Sequence, residues 1–131
     1  MSTKPISLLL VDDDKFLLDM YSLKFSKNGY DVHCAAGPEE TLKVLRDGGL
    51  LPDIILLDVV MPGMDGVELL EVIRKEKLAP NAVVIMLTNQ SAPSDVERAQ
   101  KLHVDGYIIK ASTIPSEVLE EVNKIYKKIK G

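Results

Sequence analysis

The 131-residue chain has a single cysteine, Cys34. No intrachain disulfide can form, so nothing covalent staples the fold, and a lone thiol suits a reducing compartment. Cys34 sits in a short strand-forming stretch and is expected to be a buried thiol. No apolar run approaches the length of a membrane span. The leader MSTKP lacks the apolar core of a signal peptide, because the run ISLLLV is short and broken by Ser7. Positive charge is in deficit: 16 Lys and Arg face 20 Asp and Glu, a net charge of −4. Binding to a phosphate backbone needs concentrated Lys and Arg. Neither nucleic acid nor membrane is therefore expected as a direct partner, and the chain reads as cytoplasmic. Internal repeats, low-complexity segments and linkers are also missing.

What remains is a composition for one core. Hydrophobic residues make up 46% and charged residues 27%, as in an ordinary globular domain. Short apolar runs alternate with amphipathic ones. Ile6 to Val11 predicts a buried strand. Residues 14–28 carry Phe16, Leu17, Met20, Leu23 and Phe25 at near-helical spacing, and Asn28-Gly29 is a helix stop. A weaker strand follows at Asp31 to Ala35. Gly37-Pro38-Glu39-Glu40 starts a second helix, with Pro in the first turn and acids suited to its dipole. Leu42 and Leu45 share its face with Val44 at the edge, and Gly48-Gly49 ends it.

Asp53 to Asp58 predicts the third strand. Asp65 and Glu68 have the spacing of an N-cap with its reciprocal acid, and Leu69, Val72 and Ile73 continue that helix. NAVVIMLT is the fourth strand. A helix from Ser94 to Leu102 would bury Val96, Ala99 and Leu102. VDGYIIK is the fifth strand, and the last helix carries Val118, Leu119, Val122, Ile125 and Ile129.

Strands alternating with helices predict an α/β domain with a parallel sheet. Strands 1, 3 and 4 are almost uniformly apolar, as strands covered on both faces should be. For five strands the flavodoxin-like doubly wound order 2-1-3-4-5 is the natural choice. Its switch point lies between strands 1 and 3, and ligands bind there, outside the carboxyl ends of the strands.

Those ends carry chemistry. Strand 1 ends in Val11-Asp12-Asp13-Asp14, strand 3 in Asp58, strand 4 in Thr88 and strand 5 in Lys110. Any one Asp after a strand is commonly a turn residue or helix cap, and Asp14 alone reads that way. The convergence of four strand ends is what argues for a site. Clustered carboxylates must take up protons or bind a cation, and one Lys cannot balance three acids. Mg²⁺ is a hard cation that uses one or two carboxylates plus water and phosphate oxygens. A metal beside a Lys and a hydroxyl suits phosphoryl transfer, which needs positioning and charge neutralisation. A carboxylate can itself be the nucleophile, and Asp58 is placed centrally for that part.

LLLVDDD, PDIILLDVVMPGMDG, VIMLTN and GYIIK together resemble the motifs of response-regulator receiver domains, the phospho-accepting halves of two-component systems. The resemblance covers essentially the whole chain, read as one receiver domain with no output domain. It implies that Asp58 is the phospho-acceptor and that Asp12 and Asp13 bind Mg²⁺, with the backbone carbonyl of Val60 completing the protein's share of the shell. It implies that Thr88 hydrogen-bonds the phosphoryl group and Lys110 pairs with it, and that Tyr107 is the aromatic switch residue. The implied donor is a histidine kinase or phosphotransfer protein. The implied output is a downstream protein partner or a homodimer, on the face of helix 4, strand 5 and helix 5. Such a chain is a regulator that assists its own phosphorylation and dephosphorylation, not a turnover enzyme.

Three places depart from the family. Ala111 follows Lys110 where the family has a cis-proline. A cis bond before a non-proline costs about 2.5–4 kcal/mol, so the turn there is expected to differ. Asn89 follows Thr88 where a small residue is usual. Val60 and Gln90 flank the position of an attacking water, which the Val60 side chain cannot hydrogen-bond. Three rival readings share parts of the pattern. A metal-dependent phosphohydrolase would need a second acid two residues beyond Asp58, where Val60 stands. A flavodoxin-like nucleotide or flavin carrier would want a Ser/Thr/Gly-rich loop where DDDK stands. A receiver-like adaptor that is never phosphorylated would have no use for the full set Asp12, Asp13, Asp58, Thr88 and Lys110. His33 and His103 fall outside these motifs.

Overall fold

Alternate residues of the central strands feed two separate cores. Leu8 and Leu10 of β1 (Ser7–Val11), Ile54 and Leu56 of β3 (Ile54–Asp58), and Val83, Ile85 and Leu87 of β4 (Val83–Thr88) enter one. Leu9, Val11, Ile55, Leu57, Val84 and Met86 enter the other. Side chains alternate across a strand, so a strand apolar at every position must be covered on both faces. All of these residues are buried.

The computed structural model describes residues 4–88, 93–109 and 114–130. The remaining elements are α1 (Lys15–Lys27), β2 (Asp31–Ala35), α2 (Pro38–Arg46), α3 (Gly66–Lys75), α4 (Pro93–Lys101), β5 (Gly106–Ile109) and α5 (Pro115–Lys130). The five strands pair in parallel in the order β2-β1-β3-β4-β5, as the alternation predicts. Helices α1 and α5 cover the first core through Leu18, Tyr21, Phe25, Val118 and Val122. Helices α2, α3 and α4 cover the second through Leu45, Leu69, Ile73 and Ala99.

Strands β3 and β5 start one or two residues later than the apolar runs suggest, because carboxylates stand in for ladder partners at their entries. Asp53 Oδ2 accepts from Ser7 N at 2.8 Å. Asp105 Oδ2 accepts from Val84 N at 2.8 Å. The predicted helix boundaries hold closely: Asn28 caps α1, Pro38 opens α2 with Glu39 and Glu40 in its first turn, and Asp65 and Glu68 form the expected capping box.

Two expectations fail. Cys34 is exposed, because β2 is an edge strand and α1, whose Ser22 and Asp19 lie beside the thiol, covers that position only in part. On α1, Phe16 is 74% exposed and Leu23 58%. At about 100° per residue, Leu18, Tyr21 and Phe25 share one face, while Phe16, Met20 and Leu23 share the opposite one. The helix has two apolar stripes; the core takes the first and, of the second, only Met20 in part. Ile129 on α5 is likewise exposed, at the last turn.

The two stripes separate in stability. Phe25→Ala should cost about 3–5 kcal/mol by leaving a core cavity, whereas Phe16→Ala should stay within about 0.5 kcal/mol. Urea unfolding measures both, and equal losses would contradict the assignment of the buried face.

Candidate functional site

Strand register builds the acidic centre. Val11 of β1 lies level with Leu57 of β3, so the residues that follow, Asp12 and Asp58, come side by side at the carboxyl edge. Asp58 lies level with Leu87 of β4, which sets Thr88 one step beyond it. Asp12, Asp58 and Thr88 are buried, at 2%, 6% and 1% exposure. Asp13 is exposed, and one carboxylate oxygen from each of Asp12, Asp13 and Asp58 lies within 4.8 Å of the others.

The run Asp12-Asp13-Asp14 splits into two tasks. Asp14 caps α1: its side chain accepts from Phe16 N at 3.0 Å and Leu17 N at 3.3 Å. Asp12 Oδ1 accepts from Asp14 N at 3.0 Å, which fixes the turn out of β1. Asp12 N in turn donates to Ala35 O at 3.2 Å. Asp12 and Asp13 are left to face Asp58.

The segment after Asp58 is shaped by glycine. The chain turns at Pro62-Gly63, where Gly63 has φ +81°, a conformation glycine adopts without strain. Gly66 N then donates to Val59 O at 2.7 Å. A Cβ on Gly66 would lie 2.1 Å from the carbonyl oxygen of Asp58, so only glycine lets α3 begin directly beneath the acid. Asp65 caps α3 by accepting from Glu68 N at 2.8 Å, and Glu68 returns the contact to Asp65 N at 3.1 Å. The second oxygen of Asp65 accepts from Arg98 Nη1 of α4 at 3.3 Å, and the same Nη1 reaches Asp95 at 3.1 Å. Sequence reading missed Arg98, since a link across 33 residues has no local periodic signal. Val60 is 68% exposed, so its side chain stands at the open side of the site.

Tyr107 lies level with Met86 of β4 and packs on the core beneath α3 and α4. Its hydroxyl is buried with no hydrogen-bond partner among the described residues. Burial pushes the phenol above its ordinary pKa, and the Asp95 carboxylate adds to the push. Lys110, the Lys110-Ala111 turn, Asn89 and Gln90 lie outside the described residues.

The donor set suits a hard divalent cation. All three side chains offer carboxylate oxygen, and their mutual spacing is within the reach of one ion. Without a cation or protons, three carboxylates so close repel one another. Gly66→Ala should upset this centre from below, by forcing Asp58 and α3 apart. Overpacking of this kind costs roughly 1–3 kcal/mol, and Mg²⁺ affinity should fall with stability. Urea unfolding and metal titration check both, and an alanine variant with parental values in each would refute the close approach.

The family model of the response regulator receiver domain matches residues 8–123. Among solved structures, a CheY-like receiver domain protein from Methanospirillum hungatei JF-1 is 29% identical, covers 95% of each chain and superposes with a TM-score of 0.83. The receiver domain of the Francisella response regulator 1452 is 30% identical over 95% of this chain and 99% of that one, with a TM-score of 0.80. The chemotaxis protein CheY4 of Vibrio cholerae is 26% identical over 92% of this chain and 98% of that one, with a TM-score of 0.82. With the family pattern running from the first strand into the last helix, the chain belongs to the response regulator receiver domain family.

Proposed function

We propose that this chain is a phospho-accepting switch of a two-component system, with Asp58 as the acceptor. The observation that carries the reading is the cluster Asp12, Asp13 and Asp58, gathered by register at the open end of the central strands. The Asp12, Asp13 and Asp58 carboxylates, with the Val60 carbonyl, would hold Mg²⁺, which when bound neutralises charge on the phosphoryl oxygens. A carboxylate oxygen of Asp58 attacks phosphorus, the P–N bond of the donor's phosphohistidine breaks, and the released imidazole retains the bonding pair and takes a proton from solvent. The product is an acyl phosphate on Asp58. Thr88 then accepts the role of hydrogen-bond donor to the phosphoryl group, and Lys110 that of its counter-charge.

The donor is a histidine kinase or phosphotransfer protein. Exposed Phe16 and Leu23, with half-buried Met20 between them, lie on the helix that starts just after the acidic pair. They offer apolar contact surface on α1. Output runs through α4, β5 and α5 to a downstream partner or a second copy. Movement of Thr88 would release space beside Tyr107 and disturb the Arg98 link between α4 and the loop after Asp58. The domain works in the cytoplasm as a regulator.

Incubation with a small phosphodonor and Mg²⁺ should add one phosphoryl group to the intact mass, and Asp58→Asn should abolish the gain. No gain, with Mg²⁺ binding demonstrated, would replace this reading with an unphosphorylated adaptor. The exposed Val60 side chain cannot hydrogen-bond an attacking water, so the parent acyl phosphate should outlive that of Val60→Asn severalfold. A dephosphorylation half-life unchanged or lengthened in the variant would refute that role for Val60.

A further inference from the structure

The fold sorts its charge. Because all five strands run parallel, all five helices return in the same direction, and their carboxyl ends lie together at the entry edge of the sheet. Every one of these last turns is basic, which suits the negative end of the helix dipole. Helices α1 and α5 pack side by side, and Tyr126 and Lys130 line one pocket with Leu51, Asp53 and Asn81, at the entries of β3 and β4. The ends of α1 and α5 therefore form one basic pole carrying Lys24, Lys27, Lys127, Lys128 and Lys130.

Dipole compensation alone accounts for one or two cations per helix end. Two further features do not follow from it. First, several acids at this edge have contacts of their own with other groups. Asp53 accepts from Ser7 N, Asp31 pairs with His33, Glu121 lies 3.7 Å from Lys124, and Asp105 accepts from Val84 N. Lys27, Lys127, Lys128 and Lys130 are exposed and have no acidic partner among the described residues. Second, large apolar side chains stand exposed among them: Ile129 at 45% and Leu51 at 73%.

We propose that this pole is a docking surface for an anionic phospholipid membrane. Lysines near such a surface are each attracted to it, and partly exposed apolar groups enter the headgroup boundary. The patch holds lysine and no arginine. Lysine is a compact, hydrated point charge, whereas bidentate reading of bases or single phosphates favours the planar guanidinium; a diffuse headgroup layer therefore fits better than a nucleic acid. The net charge of −4 does not oppose this. Five-residue strands separate the two edges by about 15 Å, beyond the screening length of about 8 Å at physiological salt. A membrane at the basic pole meets the lysines and not the cluster of Asp12, Asp13 and Asp58. Docking this way would leave the Asp58 edge facing away from the lipid. The inference does not rest on the phospho-acceptor reading.

Flotation with vesicles tests it, with no phosphodonor present. The chain should float with mixed phosphatidylcholine/phosphatidylserine vesicles at low salt, remain behind with phosphatidylcholine alone, and come off at high salt. The double variant Lys127→Glu/Lys128→Glu should lose about tenfold or more in vesicle affinity. Lys15→Glu, at the opposite end of α1, should bind as the parent does. Circular dichroism confirms that both variants fold. No vesicle binding at low salt, equal binding to both lipids, undiminished binding in the double variant, or capture of duplex DNA in preference to vesicles would each overturn the proposal.

Discussion

The structure depends on one electrostatic constraint. Three carboxylates are held within 4.8 Å of each other at the end of a sheet whose interior is wholly apolar. Like charges in that setting are tolerated only with a cation or proton between them. The fold sorts its acids by task. It spends Asp14 on a helix cap and Asp65 on another, and leaves Asp12, Asp13 and Asp58 facing one another. What fixes their meeting is backbone register, with Val11 against Leu57. A one-residue slip would exchange the side chains that each strand gives to the two cores, so the same hydrophobic packing that stabilises the sheet also enforces the repulsion.

Around that centre, polar contacts join elements that the hydrophobic cores keep apart. The Asp65 carboxylate serves α3 with one oxygen and Arg98 of α4 with the other. Asp95, beside Arg98, also acts on the phenol of Tyr107. Among the described residues that buried phenol has no hydrogen-bond partner, which costs about 1–3 kcal/mol. The loop after Asp58, helix α4 and strand β5 are thus linked by charge as well as by packing.

Fold class, strand order and the acidic site were legible because they depend on period and on what stands at strand ends. Parallel strands covered on both faces read as unbroken apolar runs, and Asp12, Asp13, Asp58 and Thr88 interrupt those runs at one edge. The capping box of α3 was legible because its spacing is short. Less was visible on α1, where two opposed apolar stripes blur the helical period and only tertiary packing shows that Phe25 is inside and Phe16 outside. Cys34 was misjudged although the expected order already puts β2 at an edge, because sequence does not say how far α1 covers that strand. Arg98 and the basic pole were invisible for a related reason. The first depends on long-range contact. The second arises where the ends of α1 and α5 pack side by side, which net charge averages away.

Gly66 places the start of α3 directly against the carbonyl of Asp58. The backbone of the acceptor strand therefore has no room to retreat toward that helix. For the phosphoryl group proposed on Asp58, that helix would be a floor, leaving the ends of β4 and β5 as the sides open to displacement. The absence of a single methyl group sets how closely the floor lies beneath the acid.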